Sequence, residues 1–422
     1  MDILLKDCQV LVPDGLFTGC VWVSGKNIKQ ISKSAPLDFK GRVINAKNKL
    51  VMPGMVNAHT HIPMTALRGY ADDLKLQDWL FNHIFKAEAK FTPDLVQWAA
   101  LLGMAEAISA GTTTISEMYF FADSIAKSAA QCGINAHICN GFTNFDGNFN
   151  PKADKQVAEL DDLLKTWHNH NNGQIIIDCS IHAEYTSGRV MWEYIADFAG
   201  QRGLATHLHL SETRSEHEEC IAKYAATPAE MFYKAGVLNN PVRAAHCIWV
   251  SDNDIDILSQ TGTAVVSCPI SNLKLSSGIA PIDKMLKAGV NVCLGTDGVA
   301  SNNCHDMFAE TKTAALVQKY KTDDPTVLDA STALSLATTA GATVLGRNTA
   351  IAPGAQADLI MLDLDAPNLY PQNNPVSNIV YSAGGANVCM TMVGGKVLYE
   401  NGAFNTIDIE QARYEFERHF VI

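Results

Sequence analysis

From about residue 50 to 350 the chain alternates short apolar runs, rich in Val, Ile and Leu, with longer stretches of helical periodicity. The runs at 50–56, 112–117, 134–139, 175–181, 204–210, 242–245, 263–267 and 290–294 predict eight strands. Between them, helices are predicted over 94–110, 123–132, 192–202 and 281–288, each stopped by the glycine that follows: Gly111, Gly133, Gly203 and Gly289. Thr227-Pro228-Ala229-Glu230 reads as a capping box with Pro at the first helical position. Eight β/α units in succession predict an α/β fold of the (β/α)8 TIM-barrel type, whose active site is built at the C-terminal ends of the strands.

Outside that region the pattern changes to alternation, as in Gln9-Val10-Leu11-Val12, Cys20-Val21-Trp22-Val23 and Val388-Cys389-Met390-Thr391-Met392-Val393. These are β segments without helices. Neither end holds enough strands to bury a core, so 1–52 and 351–422 are expected to pair into one small β-sandwich beside a catalytic domain over 53–350, with a tail at the end. No low-complexity linker and no internal repeat interrupts the chain.

Composition narrows the class. With 422 residues, 47% hydrophobic and 18% charged, the chain suits one large domain and a smaller one. No apolar run is long enough to cross a bilayer, and Met1-Asp2-Ile3-Leu4-Leu5-Lys6-Asp7 lacks the regions of a secretion signal, so a cytoplasmic protein with no membrane partner is expected. Eleven Cys, an odd number with no C-x-x-C pair, read as reduced core thiols. The formal net charge of −12 argues against nucleic acid and leaves a small molecule as the expected partner.

The predicted strands sort the polar residues. His59 and His61, two apart on one strand, face the same side, and imidazole suits zinc and similar ions. His182, His209 with Glu212, His246, and Asp297 follow four other strands, so all converge on one barrel rim and point to a shared metal site. His207 falls on the face of His209 and is read as an interior residue one layer deeper. His83, His137, His168, His170, His217 and His419 are read as solvated or packed.

Several stretches together resemble the amidohydrolase superfamily. They are Pro53-Gly54 before His59-Thr60-His61, Leu67-Arg68-Gly69-Tyr70-Ala71-Asp72-Asp73-Leu74 with Trp79-Leu80, His209-Leu210-Ser211-Glu212, Ala245-His246-Cys247, Ser271-Asn272-Leu273-Lys274-Leu275 and Gly295-Thr296-Asp297-Gly298. More narrowly they are similar to its deaminases of 5'-methylthioadenosine and S-adenosylhomocysteine. The resemblance implies one divalent metal, zinc or else iron, manganese or nickel, on His59, His61, His209 and Asp297, with His182 standing where binuclear relatives carry a bridging lysine. It implies hydrolytic deamination at C6 of an adenosine-type nucleoside. Glu212 would shuttle protons, Asp297 would accept one from the attacking water, and His246 would orient it and stabilise the developing oxyanion. His182 would bond the purine, Glu88 the ribose hydroxyls, and Trp79 and Asn140 would complete the substrate contacts. A guanine or triazine aminohydrolase on the same scaffold is the alternative. Relatives often form dimers, so a homo-oligomer, dimer or tetramer, is expected. Where deaminases of S-adenosylhomocysteine tend to carry an arginine, this chain has Asn140, with Phe142, Phe145 and Phe149 as apolar candidates and Lys152 as one remaining point charge.

Overall fold

A computed structural model describes residues 2–37 and 39–420, so the outermost ends of the expected domains and residue 38 lie outside it. Met55–Thr60, Thr112–Met118, Asn135–Cys139 and Ile175–Ile177 form a four-stranded parallel sheet in chain order. Cys179–Ile181, Thr206–Leu210, Val242–His246, Ala264–Ser267 and Val292–Leu294 form a second parallel sheet, again in chain order. Nearly every residue of these strands is buried, so both faces of each sheet are covered. The last strand returns beside the first: the Asp297 N–H donates to His59 O over 3.0 Å.

Two of the expected strands are divided. The run at 175–181 breaks at Asp178, whose buried carboxylate pairs with Arg243 and with His137 Nδ1 at 2.8 Å. Its N–H still bonds Ile138 O, so the break is confined to one residue. The run at 50–56 becomes Lys49–Pro53, antiparallel to Leu359–Asp363 in an outer sheet, and Met55–Thr60 in the first parallel sheet. Gly54 makes the step between them. A Cβ there would stand 2.2 Å from Thr113 Cγ2, so no larger residue fits the crossing.

The outer sheet has nine strands, five from the N-terminal region and four from the C-terminal region, joined where Lys49–Pro53 meets Leu359–Asp363. Ile3, Leu5, Val10, Val21, Val23, Ile28, Met361, Met390 and Met392 bury its apolar face. Contrary to the expectation of β segments alone, the C-terminal region also forms helices at Pro375–Tyr381 and Ile409–His419. The second packs on Pro93–Ser109, burying Ala412 among largely polar neighbours. No described helix is long and apolar enough to cross a membrane, and all eleven Cys are free.

Candidate active site

Strand ends bring His59, His61, His209, His246 and Asp297 together, with donor atoms of two three-residue groups lying within 4.8 Å of one another. His61 Nδ1 donates to Met118 O at 2.6 Å, and His209 Nδ1 donates to His182 O at 2.7 Å. A carbonyl can only accept, so each Nδ1 carries the proton and each Nε2 is bare in the neutral ring. Those two Nε2 atoms face each other at 3.4 Å. His59 Nε2 is fully buried and has no hydrogen-bond partner, while its Nδ1 meets His207 Nε2 at 2.9 Å. His207 thus lies one layer deeper, as expected, and steadies a ring that presents its other nitrogen to the cluster. Asp297 Oδ1 stands 3.2 Å from His61 Nε2 and 3.5 Å from His59 Nε2. The lone pairs these rings offer when neutral, with the Asp297 carboxylate beside them, fit a divalent cation; without one, a proton on His61 Nε2 pairs with Asp297.

The electrostatics agree. Burial pushes His59 down to about 3. Burial acts the same way on His61, but the Asp297 carboxylate overrides it and lifts the imidazolium to about 9. Burial would raise Asp297, yet its two histidine partners hold it well below the usual carboxylate range. Its other oxygen, Oδ2, accepts from Ser271 Oγ at 2.6 Å and Ser301 Oγ at 2.9 Å, which fixes the carboxylate's rotation.

His246 behaves differently from the other three imidazoles. Asn272 Nδ2 donates to its Nδ1 over 2.9 Å, so the neutral ring carries its proton on Nε2 and offers a donor instead of a lone pair. That Nε2 lies 3.7 Å from Glu212 Oε2. Burial first of all, and then the neighbouring Asp297, push the Glu212 carboxyl up to about 8. Ser277 Oγ donates to Glu212 Oε1 at 3.4 Å, and Glu216 Oε2 accepts the Glu212 N–H at 2.8 Å from within the capping box that begins Arg214–Tyr224. Ser211, His246, Cys247 and Asp297 all adopt positive φ, so the backbone is strained where the strands deliver these groups.

A cavity of about 650 Å³ opens over the cluster and is lined by every residue expected to touch substrate: Trp79, Glu88, Asn140, His182 and Glu212. Glu88 ends the short helix Phe85–Glu88 and accepts from the Tyr119 hydroxyl. Burial raises its carboxyl to about 7. His182 Nδ1 meets Thr186 Oγ1 at 3.0 Å, and burial brings the ring down to about 3, so it is neutral. The expected phenylalanines separate. Phe145 lines the cavity and is 63% exposed, but Phe142 is wholly buried in the core and Phe149 packs on Tyr194, because the 140–154 loop folds back on its own helix. Lys152 is exposed and lines nothing in the cavity.

Sequence reasoning missed several residues here. Tyr119, Phe120 and Phe121 follow the second strand and form the aromatic wall, while Gln156 and Glu159 reach in from the helix Lys155–Trp167. The Ser271-Asn272-Leu273-Lys274-Leu275 stretch was conspicuous, but its tasks were not. Ser271 holds Asp297, Asn272 sets the His246 tautomer, and Lys274 reaches Asp72 at 2.6 Å, tying together two segments that sequence had marked separately.

Residues 50–398 match the model of the Amidohydrolase family. A 5-methylthioadenosine/S-adenosylhomocysteine deaminase of Dictyoglomus thermophilum is 41% identical over 421 residues, 99% of this chain and 98% of that protein. A 5'-deoxyadenosine deaminase of Methanothermobacter thermautotrophicus is 38% identical over 410 residues, 96% of this chain and 95% of that one. Among solved structures, an adenosine deaminase of Xanthomonas campestris with bound zinc superimposes with a TM-score of 0.92 at 33% identity, covering 100% of this chain and 99% of the other. A family match across most of the chain and relatives alike over nearly its whole length lead to one conclusion: the chain belongs to the amidohydrolase family.

Proposed function

We propose that this protein is a zinc-dependent aminohydrolase that converts an adenosine-type nucleoside to the inosine-type product and ammonia, with 5'-methylthioadenosine as its best substrate. S-adenosylhomocysteine and adenosine are further substrates. The observation that carries this reading is the pair of Nε2 atoms of His61 and His209 turned toward each other, 3.4 Å apart, with Asp297 Oδ1 beside them, in the cavity that also holds Glu212 and Glu88. The names of the full-length relatives support it. Glu88 favours a ribose-bearing substrate over guanine or a triazine, since a bare heterocycle offers no diol to a half-buried carboxylate.

His59, His61, His209 and Asp297 would hold the ion; His246, whose ring also lies close to His59 and His209, would stay outside the ligand set because Asn272 leaves the neutral ring's proton on Nε2. Such an ion, when bound, lowers the pKa of its water toward neutrality and so supplies a nucleophile at physiological pH. Asp297 accepts a proton from the attacking water, its Oδ2 held by two serine hydroxyls. Glu212 gives its proton to a ring nitrogen as C6 becomes tetrahedral. It then takes one from the C6 hydroxyl as the carbonyl forms and passes it to the amine, which departs as ammonia; the proton held by Asp297 then restores Glu212. The His246 Nε2–H donates to the developing oxyanion. His182 bonds the purine, Trp79 and Asn140 bound the rest of the ligand, and Glu88 accepts from the ribose hydroxyls.

The same reading takes the two parallel sheets as halves of one eight-stranded barrel, and the nine-stranded sheet as a small sandwich of 1–52 with 351–422. Free thiols suit a cytoplasmic protein. Exposed Leu316 and Tyr320, one turn apart on Met307–Thr322, support association into a dimer or tetramer.

A spectrophotometric screen of adenosine, 5'-methylthioadenosine, S-adenosylhomocysteine, guanine and a hydroxytriazine tests the assignment on metal-loaded protein. Nucleosides should be deaminated, with 5'-methylthioadenosine ahead of S-adenosylhomocysteine in kcat/KM because Asn140 offers no fork for a carboxylate. Turnover of guanine or the triazine alone would overturn it.

A further inference from the structure

Part of the cavity lining has a charge character that the reaction does not need. Besides His61, His209, Asp297 and Glu212, the cavity is lined by Phe120, Phe121, Asn140, Thr143, Gln156 and Glu159, which follow the second and third strands or belong to the helix Lys155–Trp167. No described residue lining the cavity is Lys or Arg, whereas four carboxylates line it: Glu88, Glu159, Glu212 and Asp297. Three of these have tasks already. Glu159 has none.

Neutral groups alone hold Glu159 in place. Its Oε2 accepts from Asn140 Nδ2 at 3.2 Å, the backbone N–H of Ala122 lies against it, and no described cation pairs with it. Asn140, only 4% exposed, spends its other Nδ2 contact on Gln156 O at 3.2 Å, and its Oδ1 is buried without a donor. The wall therefore presents a carboxylate with no described cation to balance it. Burial raises the Glu159 carboxyl above its ordinary value, as expected of a carboxylate that lacks a cationic partner.

We propose that Glu159 selects substrates by the net charge they carry at the end remote from the reacting carbon, favouring a neutral or ammonium-bearing 5' substituent over a purely anionic one such as phosphate. This deepens the nucleoside reading and rests on it. Partly buried and with no cation beside it, one carboxylate discriminates between opposite ligand charges more strongly than it would on the open surface. Asn140 acts with it by keeping the carboxylate pointed along the wall.

The test is kcat/KM at pH 7.5 for three adenosines that differ in 5' charge: 5'-amino-5'-deoxyadenosine, 5'-methylthioadenosine and adenosine 5'-monophosphate. Wild-type protein should favour the amine over the phosphate, and in Glu159→Gln that ratio should fall by about tenfold or more. Gln keeps an oxygen for Asn140, and a merely structural effect would lower all three rates together and leave the ratio alone. A ratio within about twofold of wild type, or a wild type that prefers the phosphate, overturns the inference while leaving the functional reading intact. Failure of the wild type to deaminate any of the three overturns the nucleoside reading, and this inference with it.

Discussion

Replacing His61 by Ala removes a lone pair from the convergent set, whereas replacing Glu212 by Gln leaves that set whole and removes a proton carrier. The two variants should therefore fail differently. His61→Ala protein is expected to be depleted of metal by mass spectrometry, while Glu212→Gln keeps its metal and loses about a hundred-fold or more in kcat. Near wild-type turnover in metal-loaded Glu212→Gln would end the proton-shuttle assignment. Glu88→Gln is expected to weaken kcat/KM for a ribonucleoside by about 1.5–3 kcal/mol and for the 2'-deoxynucleoside much less. Equal losses on both would return Glu88 to a structural role with Tyr119. The positions of His61 and Glu212 were legible in the sequence because each follows an apolar run, which places it at a strand end, whereas Glu88, at the end of the helix Phe85–Glu88, came from the family resemblance alone. Ser271, Ser277, Tyr119 and Glu159 were not legible, since their reach into the site depends on how loops and helices pack. Nothing in the local pattern distinguishes a serine that orients Asp297 from one that caps a turn.

At the scale of elements, the site depends on how closely the last strand approaches the first. Gly295, just past Val292–Leu294, lies where a Cβ would come 2.6 Å from His59 O and 2.7 Å from His59 N. Gly295→Ala should push that strand end away from the residue carrying one of the ligands, costing about 1–3 kcal/mol of stability and part of the metal content. Thermal melts and metal analysis on one preparation would check it, and full metal occupancy would show that the site tolerates the displacement. All eight strand runs were visible beforehand as apolar stretches bounded by turn residues, but their interruptions were not. Gly54 divides one run between two sheets because Thr113 crowds the crossing, and Asp178 divides another because Arg243 and His137 claim its carboxylate. Both causes are long-range contacts, absent from any local window. The helix Ile409–His419 was missed although Ile409, Ala412 and Phe416 share one face, because only Ala412 is fully buried and the rest of the helix is charged.

For the whole molecule, the buried titratable groups divide into two sets with opposite linkage to pH. His59, His182 and His246 have folded values lowered to about 3, 3 and 4, so their contribution to stability is complete above the ordinary histidine value and is lost only as pH falls. Glu88, Glu117, Glu212 and Glu216 are raised to about 7, 8, 8 and 7, and His61 to about 9, so theirs is present at low pH and disappears as pH rises through those values. Above pH 6.5 only the second set is still titrating. Metal-free protein should therefore lose stability steadily between pH 6.5 and 8.5. Metal binding runs the other way, because His61 must surrender its proton before its Nε2 can act as a ligand. Release of one proton makes affinity rise by about tenfold per pH unit, so the stabilisation conferred by a fixed free zinc concentration should be about 2 kcal/mol larger at pH 8 than at pH 6.5. Thermal shift with and without buffered zinc at the two pH values measures this directly, and an equal or smaller shift at pH 8 would mean that no ligand proton is displaced and that His61 is not protonated in the metal-free fold.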